Sequence, residues 1–201
     1  LDGFYSKRSM QNDYTVGVAV RSTTDVAVFG LAPSMLFPLG NDWAARLNGT
    51  VVNNESESQA TVSAIDTGVQ LGAVSVTKYR NRTKAAGVEF EGPLLRLPAG
   101  SARASVGGGW RELDFIYRTT RMVDANVKSF HAFGEINVPL ISEEQGVPGI
   151  KGMSINGGLR YEHYDTFGSS STPKIGVTLE MPRYLTLRAS WGESFKLPTM
   201  Y

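Results

Sequence analysis

Apolar and polar positions alternate with a period of two along most of this chain, and helical periodicity is hard to find. Trp43, Ala45, Leu47, Gly49 and Val51 alternate with Ala44, Arg46, Asn48 and Thr50. The pattern returns at Ala86, Val88 and Phe90, then at Ala102, Ala104, Val106, Gly108 and Trp110, then at Phe130, Ala132, Gly134, Ile136 and Val138. It is cleanest in the last third, at Met153, Ile155, Gly157, Leu159 and Tyr161, at Ile175, Val177 and Leu179, and at Leu185, Leu187, Ala189 and Trp191. Successive side chains of a strand point to opposite faces, so each segment is a two-faced ribbon. No Asp, Glu, Lys or Arg falls on the apolar side of these ribbons. The pattern predicts an all-β chain.

Further strands are expected at Phe4 to Arg8, Thr15 to Arg21 and Val26 to Leu31, where alternation is weak, and at Ser56 to Ile65 and Val69 to Tyr79. That makes about ten strands. Leu97-Pro98-Ala99-Gly100 and Met181-Pro182-Arg183-Tyr184 read as tight turns. Leu113 to Asn126 and Asp165 to Thr172 read as longer polar loops, and Pro139 to Gly152 as a Pro/Gly-rich connection. One end of the sheet would then carry tight turns and the other mostly longer loops, the asymmetry of bacterial membrane barrels.

Composition narrows the choices. Among 201 residues, 20 Lys and Arg against 19 Asp and Glu give a net charge of +1, without the positive field a nucleic-acid partner needs. With no Cys there are no disulfides, thiolate chemistry or Cys-based zinc sites. No apolar run approaches the roughly 18 residues of a spanning helix. Leu1-Asp2-Gly3-Phe4 has no signal-peptide character, and the start without Met and the end at Tyr201 read as cuts from something longer.

A soluble β-sandwich also alternates apolar and polar residues. Two features favour a membrane barrel. Several segments run ten or more residues, against about 5–6 for soluble strands and about 9–11 for a membrane crossing. Large rings also fall at strand ends, Trp43 at one rim and Trp110, Tyr161 and Trp191 at the other, as a bilayer interface selects.

Three stretches resemble a known family. Gly92 to Gly100 (GPLLRLPAG) followed by Ala104 to Glu112 (ASVGGGWRE) is similar to a hairpin of TonB-dependent outer-membrane receptors. Phe130 to Leu140 (FHAFGEINVPL) resembles the family's strand ending in a Pro-Leu step. Leu159 to Gly168 (LRYEHYDTFG), Thr172 to Gly176 (TPKIG) and Leu185 to Pro198 (LTLRASWGESFKLP) follow in the family's order. The departure is at Lys196 and Leu197, where the family usually has Arg and Ala, and residues 1–80 match only loosely.

The resemblance implies a barrel of about 22 strands plugged by a separate N-terminal domain. Residues 1–201 would be one part of that barrel domain, an antiparallel transmembrane sheet, open or curled by itself, with the plug and remaining strands absent. It implies residence in the outer membrane, contact with lipid, a plug, and TonB acting through the plug to import a scarce nutrient of siderophore, cobalamin or oligosaccharide class. Arg103, Glu135, Arg160, Glu162, Lys174, Glu180 and Arg188 would face the lumen or plug; hydration and cross-strand pairing explain the same charges without any function. Tyr164, Asp165 and Phe167 would be outer-loop residues within reach of ligand.

An enzyme is not expected. Gly152-Met153-Ser154-Ile155-Asn156 lacks the final Gly of a nucleophile elbow, Gly107-Gly108-Gly109 opens no helix, and His131 and His163 show no metal spacing. No cofactor or metal is implied. The competing readings are a soluble β-sandwich that binds sugar or protein, and a passive porin.

Overall fold

The computed structural model describes residues 2–72 and 74–196. They form one antiparallel sheet of ten strands that does not close. The strands are β1 (Asp2–Thr15), β2 (Ala19–Ala32), β3 (Ser34–Gly40), β4 (Trp43–Ser63), β5 (Ser75–Leu97), β6 (Gly100–Arg118), β7 (Met122–Ile141), β8 (Gly152–Tyr164), β9 (Gly168–Glu180) and β10 (Thr186–Gly192). Each pairs with its sequence neighbour, apart from β2 and β3, which pair with different lengths of β4. Pro33 separates those two, and its carbonyl accepts from Gly49 N (2.9 Å), so β2 and β3 act as one strand bent at a proline that cannot donate to the ladder.

The loops at one end differ from the sequence reading. Leu113 to Asn126 is no loop: β6 runs on to Arg118 and β7 starts at Met122, leaving a tight turn in which Thr119 N donates to Arg121 O (2.8 Å). Asp165 to Thr172 likewise shrinks to a turn before β9 at Gly168. Thr15 to Arg21 is a hairpin bend, where Gly17 takes φ 71°. Trp43–Val51 and Ser56–Ser63 belong to one strand, β4, with Ala64 and Ile65 beyond its end, while Val69–Tyr79 enters β5 only at Ser75. Trp110 therefore lies inside β6 and not at its end.

The misreading of Leu113 to Asn126 has a specific cause. Along β6 the side bearing Ala104, Val106 and Trp110 continues as Glu112 and Asp114, whereas the side bearing Arg103 and Arg111 continues as Leu113, Phe115 and Tyr117. On β7 the side of Ala132 and Phe130 continues as Lys128, Asn126 and Asp124, and the opposite side as Ser129, Val127 and Ala125. The alternation reverses phase without the strand ending, and a reversed phase mimics a break in the pattern.

Among the described residues no second layer covers the sheet: every strand-to-strand contact of substance is between ladder partners. Leu159 is 54% exposed, Val106 54%, Phe130 59% and Trp191 59%. On β8 the apolar Leu159 and Tyr161 are exposed, while Arg160 and Glu162 are half-buried and Tyr164 is buried. A soluble sandwich would show the opposite.

Candidate functional site

Cross-strand register sorts the side chains onto two faces, because directly paired residues point the same way. On the apolar face one row runs Ala45, Phe90, Val106, Gly134, Leu159 and Pro173, and another Ala104, Ile136, Gly157, Ile175 and Trp191. The upper border of this apolar field is a row of charge in the middle strands: Lys84, Glu112 and Lys128 are direct partners on β5, β6 and β7, with Lys84 Nζ 3.3 Å from Glu112 Oε2.

That border is oblique to the rows. Its last large ring is Phe29 on β2, Trp110 on β6, Phe130 on β7, Tyr161 on β8 and Trp191 on β10. From Phe29 to Trp191 it drops five register rows, or ten residues, over seven strand-to-strand steps. At about 3.4 Å per residue and about 4.8 Å per strand, both distances are about 34 Å, so the border cuts the rows at about 45°.

Beyond the border the same face carries a ladder of ion pairs. Glu57 Oε2 meets Lys78 Nζ at 2.8 Å, Glu55 meets Arg80 at 2.9 Å and Asp13 meets Arg21 at 3.0 Å. Hydrogen bonds from Lys78 and then Gln59 hold the Glu57 carboxyl below its usual pKa; Arg21 and Gln11 do the same for Asp13. These pairs are solvent-exposed, so water and salt screen them and each adds little to stability.

The opposite face brings together all seven charged residues singled out in the sequence. Arg103 Nη2 donates to Glu91 Oε1 (2.9 Å). Lys174 Nζ donates to Glu135 Oε1 (2.5 Å) although β8 lies between them; both are register partners of Gly158, whose missing side chain leaves the path open. Arg160 Nη2 donates to Glu162 Oε1 (2.6 Å), and Tyr164 Oη donates to Glu162 Oε2 (2.7 Å). Arg188 lies opposite Thr178 and Glu180 opposite Gly152, both nearer the tight-turn end.

The three residues expected in an outer loop divide differently. Tyr164 is the last residue of β8 and only 4% exposed, with its ring 6.0 Å from that of Phe195. Asp165 fastens the turn: its backbone N donates to Lys128 O (3.0 Å), and its Oδ1 accepts from Lys128 N (3.1 Å) and Thr166 Oγ1 (2.9 Å). Phe167 is half-buried in the same turn.

Sequence reasoning missed Arg111 and His131, which lie on this charged face next to Tyr164 and Glu162. Register runs Arg111–Ser129–Tyr164 and Gly109–His131–Glu162. The available signal was phase, since Arg111 is an even number of residues from Arg103 on an unbroken strand.

A family model described as "TonB dependent receptor-like, beta-barrel" matches residues 2–201. The matched span includes the motif through Lys196, Leu197 and Pro198, of which Leu197 and Pro198 lie outside the described residues. No curated protein and no solved structure matches the chain.

Proposed function

Because the chain belongs to the TonB-dependent receptor-like β-barrel family, we propose that it forms part of the wall of an outer-membrane receptor that imports a scarce nutrient. The family is one of receptors and transporters and not of enzymes. In this reading the apolar face meets hydrocarbon and the charged face lines a lumen filled by a plug domain. TonB acts through that plug, and the solute is of siderophore, cobalamin or oligosaccharide class. Tyr164, Asp165 and Phe167 lie towards the outer end, and Arg103, Glu135, Arg160, Glu162, Lys174, Glu180 and Arg188 face plug or solute path.

The oblique border carries this reading. Strands of membrane barrels tilt by about 35–45° from the bilayer normal. An apolar field fitted to a flat bilayer must then end along a line that cuts the register rows at that angle, as the Phe29-to-Trp191 line does. Height agrees as well. From Phe130 to Ile141 the apolar side of β7 spans six rows, five steps apart from first to last, about 34 Å along the strand and about 24 Å along the normal at 45° tilt. A bilayer-facing band is about 25 Å tall. Reversal of face polarity above the border follows from the same cause, since there the outer side meets water and no longer hydrocarbon.

Uptake by cells making the full-length receptor tests the function. Ferric chelates, cobalamin and oligosaccharides are offered with the proton gradient intact or collapsed by a protonophore. Accumulation of one class that stops when the gradient collapses supports gated import. Accumulation indifferent to the gradient supports a passive pore instead.

A further inference from the structure

The lumen side of the sheet changes character at one register row. As far as the row of Arg111 it is the charged face of Arg103, Glu135 and Glu162. The next row holds Val52, Thr83, Leu113 and Val127. From there to the outer ends of β1, β2, β4, β5, β6 and β7, Arg8 is the one charged side chain on this side among the described residues. The other side of the same strands carries the ion pairs of Glu55 with Arg80 and Glu57 with Lys78. Water meets both sides beyond the border, so hydration alone does not explain why charge gathers on one and avoids the other.

Rings stand at the centre of this neutral zone. Tyr79 and Tyr117 are direct partners on β5 and β6, with ring centroids 4.7 Å apart and planes inclined by 33°. Tyr79 is 42% exposed. The row below them holds Asn54, Asn81 and Phe115 side by side. On the row above, Ser58 accepts from Thr24 Oγ1 (3.1 Å) and lies opposite Thr77. The side chains of Asn54, Asn81 and Thr77 have no hydrogen-bond partner among the described residues.

An aromatic face kept in water gains about 25 cal/mol for each Å² of apolar surface that a ligand covers. Amides and hydroxyls around it donate and accept without favouring either sign of charge. An anionic metal chelate calls for a concentration of cations. Here Arg8 is alone, three strand steps from Tyr79, or roughly 14 Å at about 4.8 Å per strand. The chemistry that matches is a ligand without net charge whose flat C–H faces are edged by hydroxyl groups. Pyranose rings have that form.

We propose that this zone binds a neutral oligosaccharide, with a sugar ring laid against Tyr79 and Tyr117 and its hydroxyl groups held by Asn54, Asn81 and Thr77. This deepens the receptor reading above and rests on it, selecting one of its three solute classes.

The test screens the full-length receptor on an array of neutral and acidic oligosaccharides, and in parallel against an anionic ferric catecholate, a neutral ferric hydroxamate and cobalamin. The tightest ligand is expected to be a neutral oligosaccharide. Tyr117→Ala should weaken its binding at least about tenfold, and Tyr117→Phe much less, since the stacking face survives. A gel-mobility shift on boiling checks that each variant forms a barrel. If Tyr117→Ala fails that check, Asn81→Ala decides, and a parent-like affinity from it overturns the proposal. Unchanged affinity in folded Tyr117→Ala overturns it too, as does a tighter chelate, cobalamin or acidic oligosaccharide, or a panel in which no neutral oligosaccharide binds. Gradient-dependent uptake of a chelate or cobalamin would sink this assignment and leave the receptor reading standing. Tyr117-dependent oligosaccharide binding without gradient-dependent uptake would do the reverse.

Discussion

Lys174 on β9 reaches over Gly158 on β8 to place its Nζ 2.5 Å from Glu135 Oε1 on β7. An ion pair that skips a strand is possible only because the strand between has no side chain at that position. A Cβ on Gly158 would stand 2.8 Å from Lys174 Cε and 3.3 Å from Glu135 Cγ. Both partners are about half exposed, so the pair itself contributes at most about 1 kcal/mol. Gly158→Leu should break the bridge, and its cost in urea unfolding of the vesicle-inserted protein should shrink in a Lys174→Ala background. Equal cost in both backgrounds would mean that leucine is resisted by the backbone and not by the bridge.

Gly109 is a sterner case than Gly158. A Cβ there would lie 2.5 Å from the backbone oxygen of Ala86, as well as 2.9 Å from the His131 ring. Backbone cannot swing aside as a lysine can. Gly109→Ala is therefore expected to destabilise by about 1–3 kcal/mol, the usual range for overpacking. At Gly92 the nearest atoms to an added Cβ belong to the Trp43 ring, a side chain that can turn aside where backbone cannot, so Gly92→Ala should cost less. Urea midpoints of the two variants, compared at constant slope, check the order.

Charge placed on the apolar face should be costly in proportion to depth. Leu159 lies two register rows below the border row of Phe130, and Met122 lies four rows above it on the same face. Leu159→Arg is expected to cost about 2–4 kcal/mol in a bilayer, and Met122→Arg less than about 1. Similar costs at the two positions, read from unfolding in lipid vesicles, would remove the bilayer from the explanation.

Much of this was legible in the residues. The stretch from Met153 to Trp191 alternates cleanly because its strands are short and lie almost wholly within the apolar field, so their ends coincide with the pattern's end. The family resemblance entered on the same stretch and on the β5–β6 hairpin, and the family match extends it to residues 2–201. Leu113 to Asn126 was misread because Leu113, Phe115 and Tyr117 are apolar on the wrong face for the phase set by Trp110. A change of solvent part-way along a strand inverts the pattern, and an inverted pattern looks like none. The seven charged candidates share a face because parity alone fixes it. That Glu162 would accept from both Arg160 and Tyr164 depends on side-chain reach, which parity does not carry.

The exposed ladder beyond the border should respond to acid. Lys78 and Gln59 hold the Glu57 carboxyl below its unfolded value near 4.5. A depressed folded pKa stabilises the fold above the unfolded value, and that contribution is lost as pH falls through the folded pKa. Glu57→Gln is therefore expected to remove part of the stability change seen below about pH 4.5 and to leave the slope near neutrality untouched. An identical acid profile in the variant would show that the pair is not formed in solution.

If the border line is set by a flat bilayer, the strands must tilt by about 45°. Polarised infrared absorption of oriented membranes containing the full-length protein reads that angle from the amide bands. A mean tilt under about 25° would leave the staircase from Phe29 to Trp191 without a cause.

Which face meets lipid can be measured residue by residue, and the absence of Cys from the chain makes single-site labelling clean. Nitroxides attached at Leu159→Cys and Leu187→Cys, and separately at Arg160→Cys and Arg188→Cys, are compared in lipid vesicles for collision with oxygen, which dissolves in hydrocarbon, and with a polar nickel chelate. Labels at 159 and 187 should relax with oxygen and ignore nickel, and labels at 160 and 188 should ignore the hydrocarbon phase. The opposite result, or equal access on both faces, would contradict the orientation on which the importer reading depends.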